Sequence, residues 1–341
     1  MKAGEIGSEF WHVPVKDDLN DLFPSGTQWF LSGRCALQAI IKELKKCSTV
    51  AMPSWCCDSM VRPFADAGIE VRFFPVYLNG AVLHQVLLAD CDVLFLMDYF
   101  GYTSALSDVS EFRGVVIRDV THSLFSAEYS DSDYYFGSLR KWCGVWTGGY
   151  AWTKDGHALP RACADDLGYT KLREKAMLQK SLYINGCPDT MGNNPAAKGY
   201  LKLFSLAEDC LDRVGIAPAA ERDVLMASRL DIELIRDRRR ENAAILRNAF
   251  PDWLIFREMK KTDCPMFVPI LVPDGKRDAL RRYLIENDIY CPVHWPVSKY
   301  HSIDKRERFI YDNELSLVCD QRYSTEDMVR MVRTINMFMG A

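Results

Sequence analysis

Two periods of apolar spacing alternate along the first half of the chain. In SGRCALQAIIKELKK, Leu37, Ile40, Ile41 and Leu44 recur at helical spacing, which predicts a helix beginning just after Gly33. STVAMP at 48–53 reads as a short buried strand, DSMVRPFADAG as a helix stopped by Gly68, and IEVRFFPV at 69–76 as another strand. CDVLFLMDYFG and GVVIRD add two apolar runs that end in polar or glycine-containing turns, as strands buried on both faces of a parallel sheet do. This is the rhythm of βαβ units.

From Tyr134 the pattern becomes YYFGSLRKWCGVWTGGYAW, rich in aromatics and glycine, which predicts two strands joined by a turn near 141–148. Helices are expected around 170–181 and 197–212, separated by the loop NGCPDTMGNNP, to which spacing assigns no role. One long helix is expected from about 219 to 249, carrying Leu225, Ile232, Ile235, Ile245 and Leu246 and ended by Pro251. Its arginines at 236, 238, 239 and 240 read as a solvated face. MFVPILVP as a strand, KRDALRRYLIEND as a helix, IYCPVHWP as an extended segment and STEDMVRMVRTINMF as a closing helix make a smaller C-terminal α+β domain. Ser324 and Asp327 start the closing helix as a capping pair.

Composition narrows the function classes. The 341 residues leave room for two domains at about 150 residues each. With 42 Lys+Arg against 46 Asp+Glu the net charge is -4, which supplies no overall attraction to a nucleic acid backbone. No apolar run reaches the roughly 18 residues a membrane helix requires. The segment MKAGEIGSEFWHVP has Glu5 and Glu9 and no apolar core of a secretory signal, so the expected location is the cytoplasm. The twelve cysteines then read as buried reduced thiols. Neither a Cys-x-x-Cys pair nor HExxH occurs, and no metal is expected.

Three places carry candidate chemistry. At Ser32, Gly33 and Arg34 a polar turn passes into a helix whose first N–H groups lack intrahelical partners, a site for a phosphate; a serine there is more often the ordinary N-cap. VVIRD puts Asp119 at the C-terminal end of a central strand, the edge where open α/β sheets place ligands. A carboxylate buried there calls for a cationic partner such as a protonated ring nitrogen, and a strand-end Asp that caps its turn is the plainer alternative. Lys141 follows in FGSLRKW, where desolvation and Arg140 would favour its neutral, nucleophilic form. An anion cradle, a carboxylate for a pyridinium nitrogen and a lysine for an aldehyde together fit pyridoxal 5'-phosphate (PLP).

The order SGRCAL, PSWCCDSM, DYFGY, VIRDVTHS, SLRKW and TGGY resembles the nucleotide-sugar aminotransferases of the DegT and DnrJ type, over about residues 5–155 and again over 266–338. The resemblance implies the type I fold of PLP-dependent transferases, with a large domain (1–235) built on a mostly parallel central sheet flanked by helices and a small C-terminal α+β domain (236–341). It implies that Ser32, Gly33 and Arg34 hold the cofactor phosphate, with Ser138 adding a contact. Asp119 then faces the ring nitrogen, and His122, where the family has Gln, the ring oxygen. Lys141 matches the lysine that holds the cofactor covalently. Trp55, or in another register Cys57, matches the residue covering the ring, and His294 matches a substrate-pocket histidine. The implied activity is amino transfer from an amino acid, glutamate in the family, to a nucleotide-linked keto-sugar for surface polysaccharide or glycoconjugate synthesis. A homodimer with shared active sites is implied as well. Two other readings stand beside it: the same cofactor with a different amine acceptor or an elimination reaction, and a non-catalytic binding module.

Overall fold

Four apolar runs become parallel strands in the order Val115–Asp119, Val93–Met97, Thr49–Pro53 and Glu70–Phe74. Every residue of Val93–Met97 is buried, as expected of a strand covered on both faces. Its register sets Met97 opposite Asp119, so Asp98 and Asp119 reach the same C-terminal edge of the sheet. The computed structural model describes residues 4–79, 82–88, 90–105, 109–126, 131–186 and 198–340. From residue 187 the loop expected to separate two helices lies outside them.

The chain forms two compact units, one of Met1–Ser8, Leu44–Tyr135 and Ile232–Ala341, the other of Glu9–Glu43 and Phe136–Asp231. The first contains the four parallel strands and the helix Asp58–Asp66, which packs beside strand Glu70–Phe74. The expected strand 69–76 is interrupted at Pro75, which has no N–H for the ladder. Val76–Asn79 pairs instead, antiparallel, with Val82–Gln85. The segment from Ile232 onward contributes the antiparallel pair Phe267–Leu271 and Glu314–Val318 and the helices Ile232–Ala249, Arg277–Glu286 and Thr325–Met339. Their shared core includes Leu246, Val268, Leu280, Leu317 and Met331. The closing helix starts with the expected reciprocal cap of Ser324 and Asp327.

In the second unit, Gly149–Thr153 pairs antiparallel with Gln28–Phe30, and the strand Tyr134–Ser138, whose last three residues belong to this unit, is its other neighbour. The helix Gly33–Glu43 packs on strand Gly149–Thr153. Tyr169–Ile184 and Tyr200–Leu211 pack on each other around Ala176, Met177, Tyr200 and Phe204.

Three expectations are corrected. The long helix 219–249 is two helices, Glu221–Ala227 and Ile232–Ala249. Asn20 donates its amide to the carbonyls of Ala227 and Leu230, Val15 bridges Leu230, and Asp231 N–H donates to Pro14 O, so the intervening backbone bonds to a distant segment rather than to its own helix. The arginines of Ile232–Ala249 are not all solvated. Arg239 is buried and donates to Gln321 Oε1 and to the carbonyls of Pro265 and Met266, and Arg240 donates to those of Lys260 and Asp263. The cysteines are not uniformly buried either: Cys163 is exposed and Cys47, Cys57 and Cys91 are half-buried, all of them free thiols.

Candidate active site

In the second unit, helix Gly33–Glu43 starts beside the end of strand Tyr134–Ser138. Ser32 Oγ accepts the N–H of Cys35 at 3.2 Å, so this serine is an N-cap, and it is only 2% exposed. Gly33 is the first helical residue, and a Cβ there would stand 3.2 Å from Gly137 O and 3.3 Å from Ser138 Cβ. A side chain would therefore close the space between the helix start and the end of strand Tyr134–Ser138. Gly149 serves the same approach from the other side, since a Cβ on it would overlap the backbone of Ser32. Ser32, Gly33, Arg34 and Ser138 are thus brought together, with backbone N–H groups and the positive end of the helix dipole at one point. The guanidinium of Arg34 turns to Asp212, at 2.7 Å, so its charge is engaged away from the helix start.

Lys141 ends the short turn Leu139–Lys141 that follows the strand, and it is half-buried. Backbone bonds define the turn: Leu139 N–H donates to Gly148 O and Trp142 N–H to Leu139 O. The neighbouring Arg140 donates to Glu208 Oε1 at 2.8 Å and to the Tyr169 hydroxyl. Its charge is therefore balanced by a carboxylate, which weakens the repulsion that the sequence led us to expect toward Lys141. Both partners of Arg140 come from the helices Tyr169–Ile184 and Tyr200–Leu211, a region the motifs left without a role.

The first unit holds the other candidates. Asp119 is 2% exposed, and its Oδ1 accepts the N–H of Thr121 at 2.8 Å, so the turn-capping alternative describes one of its oxygens. Beside it, Asp98 pairs with the buried Arg118 at 2.9 Å and accepts from Ser123 Oγ. Burial pushes the Asp98 carboxyl up, and Arg118 and Ser123 pull it back. His122 is fully buried; its ring lies over Trp295, 5.7 Å between centroids and 20° from parallel, and 5.9 Å from the ring of His294. Trp55 is fully buried too, stacked on Tyr99 at 4.9 Å, with its indole N–H donated to His294 O at 2.7 Å. Trp55, His122 and His294 therefore share one aromatic cluster with Tyr99, Phe100 and Trp295. Trp295, the immediate neighbour of His294 in HWP, was legible as a large aromatic but not as their common contact.

Cys57 occupies the N-cap position of helix Asp58–Asp66 without a side-chain capping bond. Cys56 lies between Trp55 and Cys57, buried, with its thiol 3.5 Å from His301 Nε2. Burial pushes that thiol well up, and the charges of Cys57, Asp58 and Asp119 push it further. A cavity of about 550 Å³ opens beside Trp295, lined also by Arg277, Arg281, Val297, Tyr311 and Asp312, within the size range of small-molecule sites. Among the described residues no cluster could hold a metal ion, and no helix is long and apolar enough to cross a membrane.

Beneath His294 sits a buried carboxyl. Glu314 Oε2 accepts the His294 backbone N–H at 2.7 Å, and its Oε1 meets Ser316 Oγ at 2.5 Å. Burial pushes Glu314 up to about 8 from its ordinary 4.5. A folded-state carboxyl raised in this way is protonated with no penalty below pH 4.5 and must lose a proton in the interior above pH 8. Its contribution to stability falls across that window by about 1.4 kcal/mol per pH unit. Denaturant melts at pH 5 and pH 8.5 should show the loss, and Glu314→Gln should remove most of it.

No protein-family model matches this chain, and no curated protein matches it in sequence. Solved structures match in fold. PseC of Helicobacter pylori, an aminotransferase involved in the biosynthesis of pseudoaminic acid, is 12% identical, with a TM-score of 0.59 over 97% of this chain and 99% of that one. The sugar aminotransferase CalS13 of Micromonospora echinospora is 14% identical, with a TM-score of 0.58 over 92% and 87%. NtdA of Bacillus subtilis, solved with bound cofactor PMP, is 11% identical, with a TM-score of 0.63 over 92% and 73%. The α/β fold built here on parallel strands is thus the type I fold of PLP-dependent transferases, the one found in sugar aminotransferases of the DegT, DnrJ, EryC1 and StrS type.

Proposed function

We propose that this chain is a PLP-dependent aminotransferase that transfers an amino group from an amino acid, glutamate by family resemblance, to a nucleotide-linked keto-sugar for surface polysaccharide or glycoconjugate synthesis. On this reading it works in the cytoplasm as a homodimer. The observation that carries the proposal is a full-length fold likeness to sugar aminotransferases in a chain that also has Lys141 three residues after a serine packed against an anion cradle.

The residues suit the cofactor. The backbone of Gly33 and Arg34, with Ser32 and Ser138, would hold its phosphate, because the glycine at 33 keeps that corner open. Asp119 would face the ring nitrogen and keep it protonated, His122 the ring oxygen, and Trp55 a ring face. His294 would face the substrate. When bound, PLP supplies an electron sink for a carbanion at the substrate carbon. Lys141 would hold the aldehyde carbon. Its amino group would then serve as the base that takes a proton from the substrate carbon and as the acid that returns it. Asp119 would act through charge: a carboxylate paired with a protonated ring nitrogen would make a charge-assisted hydrogen bond, worth roughly 1.5–3 kcal/mol.

The test is a paired assay with glutamate as donor, in which keto-sugar nucleotides and simple keto acids are offered at equal concentration. Preferential amination of a sugar nucleotide supports the proposal. Turnover of simple keto acids alone overturns its substrate class.

A further inference from the structure

Glu314, Ser316 and His294 form a linear hydrogen-bond chain in the core of the first unit. Ser316 Oγ lies 2.5 Å from Glu314 Oε1 and 2.8 Å from His294 Nδ1. Glu314 and Ser316 are fully buried and His294 nearly so. The second carboxyl oxygen, Oε2, is occupied by the backbone N–H of His294. Any proton on the carboxyl therefore belongs on Oε1, facing the serine. A hydroxyl has one proton and can donate to only one of its two neighbours.

We propose that Glu314 and Ser316 are positioning residues for His294, and that the charge on Glu314 decides, through the Ser316 hydroxyl, which ring nitrogen carries the proton. With Glu314 ionised, Ser316 donates to Oε1 and accepts from Nδ1–H, which leaves Nε2 a hydrogen-bond acceptor. With Glu314 protonated, Oε1–H donates to Ser316, Ser316 donates to Nδ1, and the ring proton sits on Nε2, a donor. Passing from the second state to the first moves the Oε1 proton to Ser316 and the Ser316 proton to Nδ1. The Nε2 proton leaves to water. One proton is released and no electron moves. The consequence for catalysis, a histidine that accepts from or donates to the substrate according to pH, rests on the function proposed above; the relay itself does not.

The groups facing Glu314 fit a carboxyl that titrates near neutrality. Arg277, which donates to Glu314 O, lowers it, the Cys291 thiol is held protonated by burial, and strand Phe267–Leu271 brings no charged side chain against it. On the ring side His294 meets His122 and the rings of Phe100, Phe267 and Trp295.

The experiment is a two-bond ¹H–¹⁵N correlation on the full chain with ¹⁵N-histidine, with His294 assigned from the signal lost in His294→Gln. The expected result is an Nε2–H ring at pH 6.5 that becomes an Nδ1–H ring with a midpoint near pH 8. Glu314→Gln, whose amide can donate to Ser316 while its carbonyl accepts the His294 N–H, should hold the Nε2–H form to pH 9. Ser316→Ala should uncouple the ring, and Ser316→Thr should restore the switch. A single tautomer across that range in the unaltered protein, which needs no variant to fold, overturns the relay. So does an unchanged switch in Glu314→Gln. A switch in a chain that aminates none of the offered substrates supports the relay while overturning the functional reading, so the two failures are distinguishable.

Discussion

Lys141→Ala is expected to abolish measurable transamination, lowering turnover by at least about 10²–10⁴-fold, the contribution of a positioned general acid and base. It also prevents covalent retention of the cofactor. The fold should survive, because the turn Leu139–Lys141 is fixed by backbone bonds to Gly148 and within itself and the lysine is half-buried. Thermal unfolding of the variant is therefore expected within a few degrees of the unaltered protein. Wild-type turnover in Lys141→Ala would remove this residue from the chemistry. A variant that fails to fold would instead mean that the lysine braces the turn, which Lys141→Arg would then restore.

Asp119→Asn has the next largest effect, a fall in turnover of about 10- to 150-fold, equivalent to the roughly 1.5–3 kcal/mol of a charge-assisted hydrogen bond. Cofactor affinity should change much less. Asparagine keeps an oxygen for the Thr121 N–H that Asp119 Oδ1 accepts, so the turn after strand Val115–Asp119 is preserved while the charge is lost. A loss of turnover with retained cofactor separates an electronic role from a structural one. Unchanged turnover would leave Asp119 as a turn cap and nothing more.

The sequence carried the elements whose causes are local. The apolar run Val93–Met97, the periodic face after Gly33 and the Ser324–Asp327 cap each depend on neighbours within one element, and each appears where it was expected. What it did not carry depends on contacts between segments far apart in the chain. The break at 228–231 is made by Asn20 and Val15, some two hundred residues away, and no spacing within 219–249 signals it. Arg239 looks like its charged neighbours in sequence and differs because Gln321 and the carbonyls of Pro265 and Met266 close around it.

The candidate residues divide in the same way. Ser32, Gly33 and Ser138 were legible as types suited to an anion, and the close approach of Gly33 to Ser138 adds the reason a glycine is needed there. Trp55 and His122 were legible only through resemblance. Their shared contact with Trp295, and the burial of Cys56 near the charge of Asp119, are products of packing. Glu314 and Ser316 alternate with buried leucines in ELSLV, and nothing in that string marks them as partners of a histidine twenty residues earlier.

The central claim is that Lys141 is the residue that holds the cofactor. Incubation of the full chain with PLP, reduction with borohydride, proteolysis and mass mapping of every lysine test it without reference to any substrate. The account predicts one phosphopyridoxyl group per chain, on Lys141. Stoichiometric labelling of a different lysine, or none at all, would contradict it.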